Sequence, residues 1–127
     1  MSDEVTALLA RVRSHVNDHL RPQVQKIDRD GLYPEQWLRE LGALGGFAAL
    51  ADAADGGSGL GLATQMDVVA AVASTCGSTA FTLWSQGSCA WYLRQTRNAA
   101  LRRRYLPELA RGRLLAGSGL SNTVKHL

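Results

Sequence analysis

Two histidines four residues apart, His15 and His19, are the first side chains in this 127-residue chain placed to share a metal ion. The spacing alone does not complete a site. His-Val-Asn-Asp-His lacks the glutamate of the metalloprotease helix and no third ligand follows, so both histidines are expected on a solvated surface, with no metal. Gly56-Gly57-Ser58-Gly59-Leu60-Gly61 has the backbone freedom to cradle a phosphate. It lacks the GxGxxG spacing and the P-loop lysine, and a tight turn into a helix is the better reading. Arg102, Arg103 and Arg104 form a triple arginine, yet no recognition-helix pattern or stacking platform accompanies it, and nucleic-acid binding is not expected. Cys76 and Cys89 lie in an apolar stretch. With no secretory signal at Met1-Ser2-Asp3-Glu4, they read as reduced thiols of a cytoplasmic protein.

The elements that must hold these residues are organised around Gly56 to Leu93, a stretch with one charged side chain, Asp67. A helix apolar nearly all round must be covered by protein or lipid. The longest pure apolar run, Val68 to Ala73, is far short of the roughly 20 residues of a membrane span. Two buried helices are expected instead, breaking near Cys76-Gly77-Ser78 with Gly77 as the stop. Trp84 and Trp91, seven apart, share a face and read as core.

Amphipathic helices should cover that pair. Ser2 or Asp3 can cap the first, whose apolar face runs through Val5, Leu8, Leu9, Val12, Val16 and Leu20. Pro22 should bend or restart it, and Gly31 should end the segment. Pro34 opens a second helix with a Trp37, Leu38, Leu41 and Leu44 stripe, stopped at Gly45-Gly46. Residues 47–61 read as a connector. Residues 94–112 are basic and helical, with Pro107 restarting the chain into a short turn. From Leu114 the helical punctuation is gone and an extended segment begins. Charge is uneven: residues 1–55 hold six Lys/Arg against nine Asp/Glu, whereas 94–127 hold eight against one. A basic end of this kind is first of all a solvated face, and otherwise a surface for an acidic partner. The fold class is therefore all-α, an orthogonal or up-down bundle of five to six helices around a buried pair, with a short extended C-terminal segment.

The order of these features resembles the acyl-CoA dehydrogenase family. The resemblance is carried by Asp28-Arg29-Asp30-Gly31-Leu32-Tyr33-Pro34 before a Trp/Leu helix and by Gly56-Gly57 with Gly59-Leu60-Gly61 leading into an apolar helix. Its most specific part is Arg104-Tyr105-Leu106-Pro107-Glu108-Leu109-Ala110-Arg111-Gly112. It implies a helical N-terminal domain over 1–113 and the start of a truncated β domain over 114–127. It further implies FAD, an acyl-CoA substrate dehydrogenated across its α,β bond, the remaining domains of the same protein, and a homo-oligomer. By the same resemblance Leu120 and Ser121 stand where family members touch the flavin, with Ser118 beside them. Ser85, Gln86 and Ser88 are candidates for the acyl pocket, or else bond back to their own helix. No catalytic residue falls in this chain, so alone it is expected to be inactive.

Asp52 and Asp55 replace the family's proline and aromatic before Gly-Gly, Arg97 stands where glycine is common, and Asn122-Thr123 replaces Glu-Pro. Two alternatives stay open, the first suggested by these departures and the second by the basic end. One is a flavin-dependent monooxygenase of the same fold. The other is a non-enzymatic helical interaction module using the basic 94–113 face.

Overall fold

The computed structural model describes residues 1–119 and Lys125. Ser2 is extended, and its Oγ accepts the Val5 N–H at 3.3 Å, starting helix α1 (Asp3–His15). Asp3 and Glu4 in the first turn complement the positive helix end. The stripe of Val5, Leu8, Leu9 and Val12 is buried as its spacing requires. The ladder then widens to a π-helical turn over Val16–Leu20 and tightens to a 3-10 turn over Arg21–Gln23 before α2 (Val24–Asp30). Pro22 has no N–H for the carbonyl four residues back, and these two windings absorb the break while Leu20 stays fully buried. Gly31, at φ +66°, closes α2.

Helix α3 (Glu35–Ala43) buries Trp37, Leu38 and Leu41. It meets the end of the next-to-last segment backbone to backbone: a Cβ on Gly42 would stand 2.4 Å from the Cα of Gly112. Arg39 clamps the same contact, donating to the carbonyls of Gly112 at 3.3 Å and Arg113 at 2.7 Å. After α3 two 3-10 turns, Ala48–Leu50 and Ala53–Asp55, carry the chain to α4 (Gly61–Ala73). The glycine cluster is a turn, as read. At Gly57 a side chain would collide with the carbonyl oxygen of Ala51 at 2.0 Å.

Helix α5 (Gly77–Gln95) packs along α4, which in turn rests on α1, and α6 (Ala99–Ala110) packs on α5. Gly77 does not stop α4. Cys76 turns the chain in an extended conformation, φ −147°, and Gly77 is the first residue of α5. Pro107 does not restart the chain either; it sits inside α6. The carbonyl it leaves unbonded is that of exposed Arg103, where water can take it. Asn98 caps α6, its Oδ1 accepting from Ala100 and Leu101 at 3.1 Å each.

The main core joins α1, α3, α4 and the first half of α5; a smaller one gathers Ala51, Ala90, Leu106 and Ala110. Each large aliphatic fully buried there contributes roughly 1.5–3 kcal/mol. The central pair is covered on one side only. Val68, Val72 and Leu83 are buried, whereas Phe81, Trp84, Trp91 and Tyr92 are 69, 44, 37 and 47 % exposed. The fold is all-α as expected, with no strand among the described residues, and none of their helices is long and apolar enough to cross a membrane.

Candidate functional site

The uncovered side of the pair encloses a cavity of about 230 Å³. Helix α4 supplies Leu62, Gln65, Met66 and Val69; α5 supplies Leu83, Trp84, Gly87, Ser88, Trp91 and Tyr92; Leu50 closes the remaining side. Three of these are aromatic, and no carboxylate, amine or imidazole lines the space. Such a half-open space suits an apolar group, and it has no group to move a proton at neutral pH. A Cβ at Gly87 would fit here in ordinary contact with the Leu50 side chain at 3.6 Å, and glycine leaves that space to the cavity. Trp84 and Trp91 are thus wall residues rather than the core residues their heptad spacing suggested. Arg94 sits over the Trp91 ring at 5.9 Å and is held by Asp52 at 3.0 Å.

The three pocket candidates on α5 point to different places. Ser88 lines the cavity, and its hydroxyl donates to the Trp84 carbonyl at 3.1 Å. Ser85 lies on the neighbouring shallow depression with Phe81, Thr82 and Leu115. Gln86 is buried and turned to the C-terminal segment. Its Nε2 donates to the carbonyls of Leu109 at 3.4 Å and Leu114 at 3.0 Å, and its Oε1 accepts the Ala116 N–H at 2.7 Å. Ser118 is tied to the same helix, its N–H donating to Ser85 Oγ at 3.0 Å. Leu120 and Ser121 lie outside the described residues.

Gln65 is the site residue that sequence reading missed. The signal was there: an uncharged amide beside Met66 in a helix otherwise built to be buried. It is 1 % exposed, and its Nε2 donates to the Gly46 carbonyl at 3.1 Å.

His15 is a correction. It is buried, not solvated: its ring stacks on Trp37 with centroids 5.0 Å apart. Each ring also bonds the other's backbone, His15 Nε2–H to the Trp37 carbonyl at 3.2 Å and Trp37 Nε1–H to the His15 carbonyl at 3.3 Å. His19 remains exposed, and among the described residues no three potential ligands come together as a metal site. The thiols offer no nucleophile. Cys76 is buried and accepts from the Thr79 hydroxyl, and burial pushes the Cys89 thiol up. On the basic face, Arg94, Arg102 and Arg113 are paired within the chain to Asp52, Asp55 and Glu108.

Comparison with known proteins takes this geometry further. The family model described as "Acyl-CoA dehydrogenase, N-terminal domain" matches residues 2–113. The mitochondrial isovaleryl-CoA dehydrogenase of Pongo abelii is 27 % identical over 124 residues, covering 95 % of this chain and 29 % of that protein. The same enzyme of Bos taurus is 25 % identical over the same shares. The structure of butyryl-CoA dehydrogenase from Megasphaera elsdenii superposes with a TM-score of 0.81 at 26 % identity, over 91 % of this chain and 31 % of that one. The chain thus spans 29 % of the length of the curated relatives it matches. With 112 of its 127 residues inside the family match, this protein belongs to the acyl-CoA dehydrogenase family, to whose N-terminal domain residues 2–113 correspond.

Proposed function

We propose that residues 1–113 are the helical N-terminal domain of an FAD-dependent oxidoreductase that dehydrogenates an acyl-CoA thioester, and that residues 114–127 begin its β domain. The observation that carries this reading is the α4–α5 cavity: apolar, walled by aromatics and free of acids and bases. It suits one wall of an acyl site. The side chains of Leu62, Val69 and Leu83 hold the chain by contact, while Trp84 and Trp91 keep water from it. A carboxylate brought against so dry a wall is a stronger base than one in water, which is what removal of a proton next to a thioester carbonyl demands. That base, and FAD as the acceptor of the hydride, belong to the rest of the enzyme in this reading.

Of the cofactor candidates, Ser118 is described, with its N–H donating to Ser85 Oγ. Contacts from Leu120 and Ser121 to the cofactor are part of the proposal, as are a homo-oligomeric assembly and a cytoplasmic setting. The curated relatives are named as mitochondrial. The internal pairing of three arginines leaves less of the 94–113 face for an acidic partner, and so favours the enzyme reading over the interaction module.

The decisive measurement is an intact mass and a visible absorption spectrum on the protein isolated from its native source. A heavier chain carrying flavin absorption is expected; a colourless chain of 127 residues overturns the flavoenzyme reading. The 127-residue chain alone should show no reduction of an artificial acceptor with any acyl-CoA. Dependence on a flavin reductase, with no affinity for CoA thioesters, would move the protein to the monooxygenase branch.

A further inference from the structure

We propose that the α4–α5 cavity takes an acyl chain bearing an uncharged hydrogen-bond donor, a hydroxyl, and that Gln65 receives it. The inference rests on the reading of this cavity as an acyl site and names the class of chain it selects. Its basis is the amide of Gln65. Because a carbonyl can only accept, the bond to Gly46 assigns Nε2 to that side and leaves Oε1 on the other. Oε1 is buried and has no partner among the described residues. A buried acceptor left unpaired costs about 1–3 kcal/mol, so this site holds an unmet demand for a donor.

The other lining groups narrow what can meet it. Ser88 has spent its proton on the Trp84 carbonyl, so this side chain too offers lone pairs. An ammonium would find no carboxylate in the lining, and an unpaired charge in so apolar a space is prohibitive. A neutral hydroxyl carries no such cost. Oε1 lies just behind the cavity wall, out of reach of a water molecule, so a hydroxyl reaches it as Met66, an unbranched lining side chain, re-packs, with Gly87 placing no side chain against Gln65 Cγ. At about 230 Å³ the cavity is smaller than the roughly 300–1,000 Å³ of most ligand pockets, which limits the buried part of the chain to a short one.

The test uses isomers that differ only in donating power, n-pentanol and butyl methyl ether. Trp84 and Trp91 line the cavity, so tryptophan emission of the 127-residue chain reports its filling. The alcohol is expected to bind about fivefold tighter than the ether, the factor one ordinary net hydrogen bond provides. In Gln65→Met the preference should fall to what the Ser88 oxygen alone provides; a preference that survives undiminished overturns the assignment to Gln65. Equal binding by the unaltered chain overturns the donor proposal and leaves the acyl wall standing, and this comparison decides even where Gln65→Met fails to fold. If neither isomer changes the emission, the cavity takes no chain in this protein and the proposal falls, whereas the flavoenzyme reading stands or falls on the mass and the absorption spectrum.

Discussion

The stacked pair of His15 and Trp37 turns two polar rings into core material, because each ring satisfies its N–H on the other's backbone. His15→Ala removes the stack and leaves the Trp37 carbonyl without its donor, and should lower the unfolding free energy by about 2 kcal/mol in urea titrations. His19→Ala, on the exposed side, should stay within about 0.5 kcal/mol. The two histidines look alike in the sequence. What separates them is Trp37, which reaches His15 from 22 residues away and is a tertiary event that helical spacing does not encode. Gln65 stood out as an uncharged amide in an apolar helix, but its partner did not: the amide is tied to Gly46 in the connector, 19 residues earlier. By contrast Gly31 and Ser2 were legible, since a left-handed stop and an N-cap are local demands of backbone and side chain alone.

Among the elements, the segment after α6 shows how a chain can leave a helical bundle in an ordered way. Residues 114–118 lie along α5, fastened by Gln86 and Ser85 in place of a strand partner. Gln86→Leu should free that segment: amide exchange at Ala116 and proteolysis within 114–119 should quicken, while far-ultraviolet circular dichroism stays near its original value. Glu108 and Arg113 brace the turn just before it, and the hydrogen bond from Arg113, ahead of its charge, holds the Glu108 carboxyl below the usual carboxylate range. A carboxylate whose affinity for protons falls on folding adds stability above its unfolded titration range and loses it as the pH drops through the lower, folded one. Protection of the turn amides, taken relative to their intrinsic exchange rate at each pH, should therefore fall in acid, and Glu108→Gln should flatten that dependence. The helices themselves could be read from periodicity and their punctuation. Gly77 and Pro107 misled because each is a breaker by local rule. Cys76 had already turned the chain before Gly77, and solvent at Arg103 removes much of the cost of Pro107.

At the scale of the molecule, apolar composition declared that α4 and α5 need cover, but not which surface provides it. Here α1, α6 and the Ala48–Leu50 turn pack on the pair, while Phe81, stacked on Trp84 at 5.5 Å, stands with Trp91 and Tyr92 on the uncovered side. A contiguous face of this kind drives association. Sedimentation of the 127-residue chain should show mass rising with concentration, and Phe81→Ser should shift that rise to higher concentration. The clamp between α3 and the turn after α6 bears on a different property, the order in which the chain assembles. Arg39 and Gly112 are 73 residues apart, so their contact closes a loop spanning most of the chain and earns its enthalpy only after that closure has been made. Such a contact belongs late on the folding route. Arg39→Ala should leave the refolding rate in stopped-flow traces almost untouched and speed unfolding, making the clamp a latch on the lifetime of the native state rather than a guide to reaching it.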